Sequence, residues 1–123
     1  MEEIDDRRWN EAAEAGARPV GVPIRVYGAY LEARAALRAN APQVATRVLE
    51  WLLAHLAEER GVRMGGGLAE IIAKLRDAGV IAKALDETLI ARALNPADRR
   101  ERAWALLSIV EHALQRLYLH KAA

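Results

Sequence analysis

The chain contains no cysteine and no phenylalanine. The first absence removes disulfides, thiolate catalysis and cysteine-based zinc sites together. Valine and isoleucine never alternate with polar residues in the period-2 pattern of a strand. No apolar run approaches the roughly 20 residues of a membrane-spanning helix. The opening MEEIDDRRWNEAAEAG is charged and acidic, unlike the apolar core of a signal peptide. A cytoplasmic protein without membrane contact is therefore expected. An excess of one charge is missing too: 18 Lys and Arg face 17 Asp and Glu, a formal net charge of +1. In bulk the chain lacks the footprint of a dedicated nucleic-acid binder, which leaves room only for a local basic patch.

What the 123 residues do contain is 53% hydrophobic and 28% charged side chains, ordinary for a folded domain and too apolar for disorder. Much of the apolar content is Ala and Leu, the strongest helix formers among apolar residues. An all-α fold of one domain follows.

Proline and glycine divide the chain. Residues 2–15 offer only Ile4, Trp9 and a few alanines for burial, so they read as an arm or a short docking helix. ARPVGVP, with two prolines and a glycine in seven residues, reads as a linker. The expected division is an arm and linker over residues 1–22 and a helical bundle over 23–121. The first bundle helix is expected over 24–39, with Val26, Tyr27, Tyr30, Leu31 and Leu37 on its apolar side. Asn40 reads as a cap, and Pro42 fits the first turn of a second helix over 42–59. That helix carries Val44, Val48, Leu49, Trp51, Leu52, Leu53 and Leu56, an arc wide enough for the centre of a bundle.

Leu68, Ile71, Ile72 and Leu75 fall at i, i+3, i+4 and i+7 and predict a third helix over 68–78, ended by Gly79. A fourth helix is expected over 80–94, with Ile81, Leu85, Thr88 and Leu89 on one side. LNPAD then reads as a restart, with Asn95 as N-cap, Pro96 at the first helical position and Asp98 at the capping-box position. The last helix, over 96–120, is expected to bury Trp104, Leu107, Val110, Leu114, Leu117 and Tyr118. The sum is an up-and-down bundle of four to five helices.

Candidate sites are few. GVRMGGGLAEII places a glycine run before a helix, as phosphate-binding turns do. It lacks the Lys and Ser/Thr of a P-loop, and no strand precedes it. The run therefore reads as a hinge, with Arg63 as a neighbouring anion contact. His55, His112 and His120 have no i, i+3 or i, i+4 partner among themselves and read as boundary or surface residues. Glu50, Glu58, Glu70 and Glu111 fall where a solvated helix face is expected, and no inward Glu-x-x-His motif occurs. No metal and no cofactor is expected.

Arg99, Arg100 and Arg102 crowd the first turn of the last helix, against its dipole. They read either as a solvated end paired with Asp98 and Glu101 or as a contact to RNA or an acidic partner. Trp9, Trp51 and Trp104 are expected to anchor packing, with Trp9 and Tyr118 the candidates for an interface.

VYGAYLEARAALRANAPQVATRVLEWLLAHLAEERGV, then LAEIIAKLRDAGVI, then ALLSIVEHALQRLY resemble domain-of-unknown-function family 4145 in order and spacing. That family is similar to the HEPN superfamily of helical bundles, which includes RNA-cleaving toxins and non-cleaving relatives. The resemblance covers residues 24–118. It implies an Arg, a Gly-Asn and a His between the last two helices, similar to the HEPN Arg-x4-6-His cleavage motif. Here the segment is LIARALNPADRR: Arg92 and Asn95 match the first half, no Gly precedes the Asn, and no His follows it. Arg116 and His120 are one residue too close for the motif. Without the His there is no evident general acid or base for attack by a ribose hydroxyl.

The expectation is thus a non-catalytic interaction module, an accessory protein of a defence, restriction or RNA-linked system. It is expected to form a homodimer by antiparallel pairing of helices two and five, and a protein partner is a further expectation. The alternatives are a metal-independent endoribonuclease using Arg92, Asn95, Arg116 and His120, or a nucleic-acid binder through Arg63, Arg99, Arg100 and Arg102.

Overall fold

The computed structural model describes residues 21–62 and 67–119. The expectations for Ile4, Trp9, Arg63 and His120 lie outside them. Within them the fold is an all-α bundle of five helices, without a strand: α1 Ile24–Arg38, α2 Pro42–Glu59, α3 Leu68–Asp77, α4 Glu87–Leu94 and α5 Arg99–Leu114. A π-helical turn, Gln115–Leu119, continues α5.

The first connection is short because two residues do specific work. Asn40 takes a left-handed conformation (φ 58°), and the Ala41 amide donates to the Ala36 carbonyl at 2.8 Å, closing α1. Pro42 then starts α2 at a position where its missing N–H costs nothing. Gly79, at φ 80°, ends α3 in the same way, with the Val80 amide bonded to the Leu75 carbonyl at 2.9 Å.

α5 is the central element. Ala103, Leu106, Ile109, Val110, Ala113 and Leu114 are fully buried, and they face α1, α2 and α4. α1 adds Val26, Tyr27, Tyr30, Ala33 and Leu37, and α2 adds Ala45, Leu49, Leu52, Leu53, Leu56 and Ala57. Burying one such leucine contributes about 1.5–3 kcal/mol. Ile72 and Leu75 of α3 close the core over α2, with Leu68 and Ile71 packed at its edge.

The structure corrects the expected fourth and fifth helices. Residues 80–86 are not helical: Val80 and Ile81 enter the core as loop residues, and Asp86 caps α4 by accepting from the Thr88 amide at 2.9 Å. Thr88 is exposed, and Ile90 and Ala93 are buried in its place. Asn95 is the C-cap of α4, its amide bonded to the Ala91 carbonyl, and Pro96 lies in the connection. α5 starts three residues later because Asp98 accepts from the Glu101 amide at 2.8 Å. A carboxylate three residues before a glutamate is the stronger cap, and it lies at the positive end of the dipole.

Three expected core residues face solvent instead: Val44 (48% exposed), Trp51 (42%) and Trp104 (47%).

The cap gives a direct prediction. Asp98→Ala lowers the unfolding free energy by about 1 kcal/mol in urea denaturation, with an unchanged far-ultraviolet spectrum before the transition.

Candidate functional site

Three groups of polar or exposed residues are assembled by this packing. The first is buried. Tyr30 and Arg34 lie one turn apart on α1 and reach Glu111 of α5. The Tyr30 hydroxyl donates to Glu111 Oε2 at 2.5 Å, Arg34 Nη1 donates to the same hydroxyl at 2.9 Å, and Arg34 Nη1 lies 3.7 Å from Glu111 Oε2. The guanidinium also sits 5.7 Å from the Tyr30 ring centre. Glu111, expected on a solvated face, is therefore a core residue. α5 is covered on all sides at that level, so no face is left to solvate it. Burial holds the Tyr30 hydroxyl well above its ordinary range, and the Glu111 carboxylate pushes it further the same way.

The second group ties down the loop before α4. His112, expected at the surface, is 4% exposed, and its Nε2 accepts from the Ala82 amide at 3.0 Å. Arg116 Nε donates to the Gly79 carbonyl at 3.2 Å. Arg76 of α3 donates to the Leu85 carbonyl at 3.2 Å and pairs with Glu87 at 2.8 Å. These side chains satisfy backbone groups that a non-helical segment leaves open.

The third is a surface cleft between α1 and α2, about 440 Å³ in volume. Arg25, Gly28, Ala29 and Glu32 form its α1 wall, and Arg47, Val48 and Trp51 its α2 wall. The indole of Trp51 is held by a ladder along α2. It stacks on His55 (5.1 Å between centres, 11° between planes), and His55 Nε2 lies 3.1 Å from Glu59 Oε1. Tyr118 beyond the end of α5 donates to Glu59 Oε2 at 3.4 Å. Val44 extends the apolar stripe one turn toward the start of α2. This cleft is the candidate site, because it joins exposed apolar surface to charges of both signs.

The residues singled out for RNA chemistry are not gathered in one place. Arg92 is exposed and lines a small hollow with Leu89 of α4 and Glu101, Trp104, Ala105 and Ser108 of α5. Asn95 caps α4, and Arg116 bonds to Gly79. Of the Arg cluster, Arg102 Nε donates to the Ala93 carbonyl at 3.1 Å, which leaves Arg99 and Arg100 on the exposed end of α5. His55 and His112 have separate partners. No group of three or more metal-ligating side chains occurs among the described residues.

The cleft went unread in the sequence although its signal was there. Val44, Val48 and Trp51 beside Leu49, Leu52, Leu53 and Leu56 make an arc too wide for one interface. Glu111 and His112 also had a signal, lying inside the apolar run of ALLSIVEHAL.

No protein-family model, no curated protein and no solved structure matches the chain.

Two predictions follow from the buried group. Glu111→Ala removes the carboxylate that the Tyr30 hydroxyl and Arg34 share in the core and lowers stability by about 3 kcal/mol in chemical denaturation. Alkaline pH destabilises the protein through Tyr30. Its folded-state pKa is raised, so the unfolded chain releases the phenolic proton near pH 10 while the folded chain retains it. Stability is full below that pH and falls above it. Tyr27 and Tyr118 shift in the same direction by burial. Tyr30→Phe is expected to flatten the decline of the thermal midpoint between about pH 9.5 and 11 without abolishing it.

Proposed function

We propose that the chain is a non-catalytic helical interaction module that self-associates, serving as an accessory protein in a defence, restriction or RNA-linked system, as the HEPN-like resemblance implies. The observation that carries the reading is the exposed pair Val44 and Trp51, with half-buried Val48 between them in the cleft wall. Large apolar side chains that a monomer leaves exposed together mark association surfaces, and tryptophan is the residue most often central to them.

The expected pairing of helices two and five keeps α2, as one wall of the cleft it shares with α1, and loses α5. The apolar residues of α5 lie inside the core, apart from Trp104. Glu111, His112, Arg34 and Arg116 have partners inside the fold, while Arg92, Arg99 and Arg100 stay exposed, and in the hollow that Arg92 lines the acid–base group is Glu101. That internal use supports a binding role over cleavage of RNA.

Sedimentation equilibrium tests the reading. The wild type is expected to show a concentration-dependent monomer–dimer equilibrium, and Trp51→Glu to weaken it about tenfold or more, equivalent to about 1.4 kcal/mol. A wild type that stays monomeric up to about 1 mM sinks it. Cleavage of single-stranded RNA that is lost on Arg92→Ala replaces it with the enzyme alternative.

A further inference from the structure

The α1 wall of the cleft has an internal symmetry. Arg25 and Glu32 stand seven residues apart, two helical turns or about 10 Å along the axis. The midpoint between them falls between Gly28 and Ala29. All four residues line the cleft, and neither Arg25, Glu32 nor Arg47 makes an ion pair with another described residue. Trp51 lies at the same level. The short connection makes α1 and α2 antiparallel neighbours, and Trp51 is nine residues past the start of α2, as Ala29 is nine before the end of α1.

We infer that the occupant of the cleft is a second copy of this chain, placed by a two-fold axis that passes between Gly28 and Ala29 of both copies. The inference rests on the self-association proposed above and specifies its geometry. A two-fold contact joins one patch to itself, so the patch must be complementary to its own rotated image. With α1 antiparallel to its counterpart, Arg25 of one copy faces Glu32 of the other, and the pair occurs twice. The small residues at the midpoint bring the helix axes close, because interaxial distance is set by the side chains at the crossing. The two indoles of Trp51 then cover the crossing from either side, and the ion pairs form the rim. An acidic peptide explains Arg25 and Arg47 but leaves Glu32 facing like charge. A second copy gives both Arg25 and Glu32 an opposite charge and leaves only Arg47, on the α2 wall, without one.

Charge reversal tests the axis. Arg25→Glu and Glu32→Arg alone each set like charges against each other twice, and each is expected to weaken the dimer about tenfold or more. Mixed in equal amounts, the two single variants regain both pairs as a heterodimer, and the double variant regains them as a homodimer. Gly28→Leu supplies a variant independent of charge. A Cβ at Gly28 meets nothing within 4 Å, so the side chain leaves the monomer's backbone into open space, the space that the crossing fills. Its thermal unfolding at low concentration is expected to be at least as high as that of the wild type, since leucine favours a helix over glycine.

Wild-type dimers unaffected by all three single variants overturn the axis and leave self-association standing. Single variants that weaken the dimer without recovery on mixing also overturn it. A wild type that never dimerises removes both the axis and the reading beneath it.

Discussion

A carboxylate placed inside an apolar helix is costly unless its charge is met, and α1 sends two groups to Glu111, the Tyr30 hydroxyl and the Arg34 guanidinium. The dependence runs outward from there. α1 buries Val26, Tyr27, Ala33 and Leu37 beside Tyr30, and the ion pair adds a point of fixed register to that apolar face. Tyr30 and Arg34, one turn apart, must both point at α5 to reach one carboxylate. That requirement turns Arg25, Gly28 and Glu32 to the opposite side, where they form the wall of the cleft. A polar contact in the core thus acts with the buried Val26, Tyr27, Ala33 and Leu37 to set which surface of α1 the protein presents. Removing one partner is damaging for the same reason that the contact is specific: the low-dielectric surroundings strengthen the match and raise the cost of a mismatch.

The other end of the bundle follows a related rule. The chain between α3 and α4 buries Val80, Ile81 and Leu85 without forming a helix, so its backbone groups need partners. Arg76, His112 and Arg116 supply them from α3, α5 and the π-helical turn. An Nε2 that accepts from a backbone amide carries no proton, so His112 serves here as a fixed acceptor. Polar residues that invite a catalytic reading are holding loop backbone in place. The distinction between structural and chemical use comes from where their hydrogen bonds go, a property that residue type alone does not reveal.

That point also separates what was legible in the sequence from what was not. α1, α2 and α3 were readable nearly to the residue, because Asn40, Pro42 and Gly79 punctuate them and Leu68, Ile71, Ile72 and Leu75 repeat at the helical period. The segment 80–86 was misread as helix because Ile81 and Leu85 sit at a helical spacing while packing from a loop. Asn95 competed with Asp98 for the same cap, and the side chain that reaches the Glu101 amide won. Periodicity failed in α5 for a deeper reason. From 109 to 115 the helix is covered on all sides and has no polar face, so Glu111 and His112 offered no contrast by which to place them. Trp51 and Trp104 were misplaced by the opposite error. Size and apolarity describe what a side chain gains from burial, and the packing of α2 and α5 leaves these two indoles nearly half exposed.

The uncovered arc and the even charge balance bear on how association is selected. With 18 basic and 17 acidic residues, the whole molecule sets up little long-range field. Such a field neither draws in a polyanion from a distance nor repels another copy of the same chain. In the proposed association, selection therefore falls to short-range features: the indole of Trp51, the missing side chain at Gly28, and the sign of each charge on the rim. Apolar contact supplies most of the attraction, and the rim charges decide against misaligned partners. A cleft with only cations would accept any acidic segment that fits. One that also carries Glu32 rejects most of them, and its own rotated image is among the few surfaces that answer Arg25 and Glu32 at the required spacing.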